Sequence, residues 1–188
     1  STIGGFDGVE NVVIEGNGVL DQNTRNTHDV SASFIRCYHA KNIHIQGITF
    51  KDSANYHFIE LGAVDTVNIN KCSFLGHRYV EDPSLSEKQH RGECIQIEYT
   101  ESLTDSVKRD YLECRNVSIT NCLFDGIYHY EDGQRVYDTY TKSAIGCHSD
   151  TVDGISRAHH YNIVVANNTF QNIQDICINA RYMDNSKF

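Results

Sequence analysis

Two glutamates, Glu60 in Phe58-Ile59-Glu60-Leu61 and Glu98 in Cys94-Ile95-Gln96-Ile97-Glu98, sit in two similar alternating segments. Paired carboxylates are the tools of acid–base bond cleavage: one gives a proton to a leaving oxygen while the other activates water. If the segments are adjacent parallel strands, about 4.8 Å apart with about 3.3 Å per residue, the two residues stand roughly 8 Å apart. Carboxyl groups about 6.5–9.5 Å apart suit inverting glycoside hydrolysis, with room for a water. His148 should neighbour Glu98 one strand further on and set its protonation. Arg181 comes next, a group able to hold a substrate hydroxyl or carboxylate. Arg36, Gln96 and Asn179 share the column of Glu60, and His57 and Glu93 share a column at the strand starts; Arg36, Gln96, Asn179, His57 and Tyr99 are expected, with Arg181, to hold substrate. Tyr99 lies between strands, as do Tyr79, Tyr128, Tyr130, Tyr137 and Tyr140, and exposed rings there suit stacking on sugars. The competing explanation is a solvated strand face whose Glu, His and Arg side chains simply pair.

These positions depend on a repeat. Asn-Val-Val-Ile from Asn11, Asn-Ile-His-Ile from Asn42, Thr-Val-Asn-Ile from Thr66, Asn-Val-Ser-Ile from Asn116 and Asn-Ile-Val-Val from Asn162 all alternate at period two, the strand signal. Ile14, Ile45, Ile69, Ile119 and Val165 form one ladder, at spacings of 31, 24, 50 and 46 residues. The shortest fits one turn of a parallel β-solenoid, and the long ones read as a turn plus an inserted loop. Leu20, Phe50, Phe74, Phe124 and Phe170 form a second ladder. The segments carrying Ile35, Ile59, Ile95, Ile145 and Ile178 form another strand column, with Cys37, Leu61, Ile97, Cys147 and Ala180 also expected inward two residues later. Two strands per coil are expected, with Asn68, Asn70, Asn121, Asn167 and Asn168 stacking amides near the turns. Segments 76–92, 99–115, 125–142 and 149–161 read as loops inserted along one edge, where binding sites are commonly built. A β-sandwich with an accidental period is the alternative.

The chain has 188 residues with 39% apolar and 22% charged residues, enough to bury one core, and residues 1–188 are expected to form a single domain. A formal charge of −9 argues against nucleic acid as a partner, and no apolar run is long enough for membrane insertion. Seven cysteines without a CxxC or zinc-finger spacing read as reduced core residues. No cofactor or metal is expected: Asp7, Asp21, Asp150 and Asp153 form no tight DxDxD, and Gly4-Gly5-Phe6-Asp7-Gly8 lacks the lysine and helix of a phosphate loop. Neither the first nor the last repeat shows a cap, so the chain reads as a piece of a longer solenoid.

Asn11-Val12-Val13-Ile14-Glu15-Gly16-Asn17-Gly18-Val19-Leu20-Asp21, followed by the repeat from Lys41 to Phe74, resembles right-handed parallel β-helices of the pectate-lyase-like superfamily. Within it the chain is most similar to polygalacturonase-like glycoside hydrolases of family 28. The resemblance implies an all-β right-handed parallel β-helix of about five coils, an extracellular or cell-surface location and a polysaccharide or oligosaccharide substrate. It places Glu93 at the family's N-T-D motif and the family's paired aspartates near Lys142-Ser143, with His148 and Arg181 merely near its G-H-G and R-I-K. A glycoside hydrolase using Glu60, Glu98 and Glu93, tuned by His148, is the leading expectation. A non-catalytic glycan-binding surface module and a polysaccharide lyase are the alternatives.

Overall fold

The computed structural model describes residues 5–27, 33–78, 92–99, 111–148, 151–152, 155–156 and 159–188. Its elements are β1 (Glu10–Glu15), β2 (Val19–Asp21), the single-turn helix α1 (Thr24–Thr27), β3 (Ile35–Tyr38), β4 (Lys41–Gln46), β5 (Thr49–Ala54), β6 (Ile59–Gly62), β7 (Asp65–Asn70), β8 (Ser73–Arg78) and β9 (Ile95–Glu98). Then come β10 (Arg115–Thr120), β11 (Leu123–Asp125), β12 (Tyr128–Glu131), β13 (Gln134–Tyr137), β14 (Ile145–Cys147), β15 (Thr151–Val152), β16 (Ile155–Ser156), β17 (His160–Ala166), β18 (Thr169–Phe170) and β19 (Met183–Asp184).

Three parallel sheets dominate: β1-β4-β7-β10-β17-β19, β2-β5-β8-β11-β18 and β3-β6-β9-β14. This stacking is consistent with a β-solenoid. Each of the first four repeats contributes three strands, one more than the expected two. The apolar run of the first ladder bends at a residue with left-handed backbone: Gly47 (φ 76°), Lys71 (φ 52°), Asn121 (φ 55°) or Asn167 (φ 58°). A single such residue ends one strand and starts the next, so an unbroken pattern of β-branched residues becomes two strands. β8 also runs through Arg78, so the segment read as a loop from residue 76 begins as strand. Segment 125–142 carries the antiparallel hairpin β12–β13. Residues 79–91, 100–110, 149–150, 153–154 and 157–158 of the other expected loops lie outside the described residues, Tyr79, Asp150 and Asp153 among them.

The ladders fall in register. Ile14, Ile45, Ile69, Ile119 and Val165 pair in sequence across the first sheet. Leu20, Phe50, Phe74, Phe124 and Phe170 pair across the second. The rings of Phe50 and Phe74 stack at 5.1 Å, those of Phe74 and Phe124 at 4.8 Å and those of Phe124 and Phe170 at 5.0 Å, all within 13° of parallel. Offset stacking adds about 0.5–1.5 kcal/mol per pair beyond area burial. Ile59, Ile95 and Ile145 are fully buried, as are Leu61 and Ile97, with Cys147 2% exposed. Ala180 is exposed instead of inward, because it lies past the last paired strand of the third sheet.

Polar stacking runs beside the apolar one. Asn121 donates to the Asn70 side chain at 2.9 Å, one of the amide contacts expected at that corner. A further ladder runs through the first sheet: one residue near the start of each of its five long strands (Asn11, Asn42, Thr66, Asn116, Asn162) is left-handed, with φ from 55° to 62°. The strand register skips this residue, so its side chain is free to reach along the axis. Asn42 donates to Asn11 at 2.5 Å, Asn116 to Asp65 at 2.8 Å and Asn162 to Asn116 at 2.7 Å. Asparagine suits this role because it tolerates the left-handed region and carries both a donor and an acceptor.

Candidate functional site

The third sheet builds the candidate site. Its register sets Arg36 beside Glu60, Glu60 beside Gln96 and Gln96 beside Gly146. Two residues on, Tyr38, Gly62 and Glu98 align, and the His148 amide extends that row by donating to the Ile97 carbonyl at 2.8 Å. Ile59 and Leu61 point into the core, so alternation turns Glu60, Gln96 and Glu98 onto the outer wall. That wall is not an open polar surface. Glu60 is 6% exposed, Glu93 8% and Gln96 1%.

Glu60 and Glu98 meet through a residue that the sequence reading left out of the site, Tyr38. Gly62 stands between Tyr38 and Glu98 in the row and has no side chain, so the phenol reaches over it. The Tyr38 hydroxyl contacts Glu98 Oε1 at 2.6 Å and also Glu60 Oε1. Two oxygens bonded to one atom lie at most about 6 Å apart. The wide water-holding gap expected between the carboxyls is therefore closed, because the side chains lean together over Gly62. Arg36 Nε donates to Glu60 Oε2 at 2.7 Å, and Ser33 Oγ donates to the same oxygen at 3.0 Å. Arg36, expected to hold substrate, is spent on Glu60.

The electrostatics separate the pair. Burial alone would push Glu60 up, but hydrogen bonds from Tyr38 and Glu98 and the Arg36 guanidinium outweigh it and hold this carboxyl low. Burial raises Glu98, and the Glu60 charge raises it further, against the opposing Tyr38 bond. A phenol has one proton to give, so it satisfies two carboxyl groups only if one arrives protonated. The arrangement is Glu98 as acid, Tyr38 as relay and Glu60 as carboxylate. Environments that drive two carboxyls apart define an acid and its ionised partner.

A third carboxyl group, that of Glu93, packs at the Gly146 end of the Glu60 row. Gly146 has no side chain, and the Glu93 carboxyl fills the space a methyl there would take, with Cδ only 2.3 Å from the position of such a methyl. His148 Nε2 lies 3.9 Å from Glu93 Oε1, and His57 Nδ1 lies 3.8 Å from Oε2. Neither distance is a hydrogen bond, and Glu93 Oε2 is buried with no partner. Burial, helped by the charge of Asp175, pushes Glu93 up to about 7. His57 bonds the Glu93 main chain, with Nδ1 2.8 Å from the carbonyl, and desolvation lowers its pKa. His148 is also lowered, by desolvation and then by Arg181. It does not touch Glu98 as expected: the Gln96 amide stands between them, 2.5 Å from His148 Nδ1 and 3.4 Å from Glu98 Oε2. Glu93, His148, Asn179 and Arg181 line a cleft of about 440 Å³ together with Lys142 and Asp175. Tyr99 stacks on Tyr111 at 6.1 Å.

Among the described residues no cluster of His, Cys, Asp or Glu is arranged to hold a metal ion. No helix among them is long and apolar enough to cross a membrane. No known family model matches this sequence, and neither a curated protein nor a solved structure gives a match.

Proposed function

We propose that the outer wall of the third sheet is a glycosidase site, with Glu98 as general acid and Glu60 as its ionised partner. The observation that carries this reading is the Tyr38 hydroxyl held by both carboxyls, Glu98 at 2.6 Å, with Glu60 low and Glu98 high. Carboxyls this close match the roughly 5–5.5 Å separation used for covalent displacement with retention better than the wider inverting gap. The family-28 resemblance supports glycoside hydrolysis of a polysaccharide, within a right-handed β-helix of about five coils at the cell surface or outside the cell. The test is reducing-end release from a panel of polysaccharides by the wild-type chain and by Glu98→Gln. Turnover should fall at least about 100-fold in the variant with the melting temperature unchanged. Full activity in Glu98→Gln removes Glu98 from the mechanism.

One observation favours a binding wall without turnover. Both oxygens of Glu60 are occupied, Oε2 by Arg36 and Ser33 and Oε1 by Tyr38, as in a carboxylate used to brace a surface. A glycan array followed by reducing-end analysis of the hits separates the readings. Binding with no new ends supports the module, and new ends support the hydrolase.

A further inference from the structure

Cys72 and Cys122 occupy the same corner of successive repeats, between β7 and β8 and between β10 and β11. Asn70 pairs with Thr120 and Ser73 with Leu123, so the two cysteines face each other across one strand spacing, about 4.8 Å. A disulfide needs Cα atoms about 4.4–6.8 Å apart. The side chains are oriented alike: Cys72 Sγ lies 3.5 Å from the Asn70 carbonyl and Cys122 Sγ 3.2 Å from the carbonyl of Thr120, the residue paired with Asn70. Both residues are at most 2% exposed, and the residue before each, Lys71 or Asn121, is exposed.

We propose that Cys72 and Cys122 are a peroxide-reactive thiol pair that closes into a disulfide across two repeats. The inference is independent of the sugar site. Cys72 is the attacking sulfur. The Cys122 thiol and the backbone amides of Ile48 and Gly47 favour its thiolate, whereas the same contact disfavours the thiolate of Cys122. Burial pushes Cys94, Cys114 and Cys147 up, which leaves them as unreactive thiols. In the first step the Cys72 thiolate attacks one oxygen of hydrogen peroxide; an S–O bond forms, the O–O bond breaks, and hydroxide leaves. In the second, the Cys122 sulfur attacks the resulting sulfenic acid; the S–S bond forms, the S–O bond breaks, and the departing hydroxide takes the thiol proton as water. Two thiols are oxidised and one peroxide is reduced to two waters.

The test treats the folded chain with hydrogen peroxide at neutral pH, alkylates the remaining thiols under denaturing conditions and maps tryptic peptides without reductant. The expected product joins peptide 72–78 to peptide 116–135, lighter by two hydrogens than their sum. Cys72 should be consumed at least about tenfold faster than Cys94 or Cys114. Exposed Cys177 is the internal control for peroxide. If Cys177 is oxidised while Cys72 and Cys122 both still alkylate, the proposal is overturned. A 72–122 link formed only in urea overturns it too. Cys122→Ser should trap Cys72 as a dimedone-reactive sulfenic acid, and if that variant does not fold, the wild-type map alone decides.

Discussion

Gly146→Ala tests how the wall holds Glu93. A methyl at Gly146 would lie 2.3 Å from Glu93 Cδ, 2.5 Å from Cγ and 2.6 Å from Oε1. Carbon atoms pack at about 3.5–4.0 Å, so the carboxyl must retreat by more than about 1 Å. Every atom struck belongs to one side chain, so Glu93 should swing out while the strand stays in place. Released from burial, its pKa should fall from about 7 toward an ordinary carboxyl value. The sign follows from proton binding. The native chain holds the Glu93 proton up to about 7, whereas the unfolded chain releases it near 4.5, so native stability falls as pH rises through that window. The full loss is of order 3 kcal/mol. His148, Asp175, Lys142 and Arg181 line the cleft and His57 lies beside Glu93 in both proteins, so the wild-type-minus-variant difference isolates Glu93. Glu93 should be followed by carboxyl-carbon NMR titration, with urea melts at pH 4.5 and pH 8. The variant should lose much of the pH-dependent decline. A wild-type Glu93 that titrates below 5, or one that titrates identically in both proteins, would refute the reasoning.

Tyr38→Phe removes the hydroxyl that donates to Glu60, so the Glu60 titration should move up, read by carboxyl NMR or by the infrared stretch of the protonated acid. Phe74→Ala opens the middle of the ring stack and should cost about 3–5 kcal/mol in denaturant melts. Asn116→Ala forces a left-handed alanine at φ 56° and breaks the amide ladder on both sides, for a loss of about 2 kcal/mol by the same assay.

Register was the legible part. Period-two alternation with aligned isoleucines and phenylalanines fixes which residues share a row, and the row containing Arg36, Glu60, Gln96 and Gly146 follows from it. Corners were harder to see. Gly47, Lys71 and Asn121 have no chemistry in common, only a left-handed backbone, so the third strand stayed hidden in a continuous pattern. The site suffered from a related blindness. A sequence names side chains and passes over the gaps between them, and here the glycines shape the cluster: Gly62 lets Tyr38 reach Glu98, and Gly146 receives the Glu93 carboxyl. His148 was assigned to Glu98 from row order alone, whereas the length of the Gln96 side chain decides that contact.

Ile59, Ile95 and Ile145 stay in register although stretches of quite different length separate them. The left-handed corners at Gly47, Lys71, Asn121 and Asn167, between the first and second sheets, keep a constant length, and longer stretches of chain enter only at the junctions on either side of the third sheet, without sliding the strands. The scaffold and its decorations are thus structurally separable: the stretches between strands differ in length while the row carrying Glu60 and Gln96 holds its position. For an engineer, the joints after Arg78 and before Ser143 are natural grafting points, where a segment could be exchanged without rebuilding the framework.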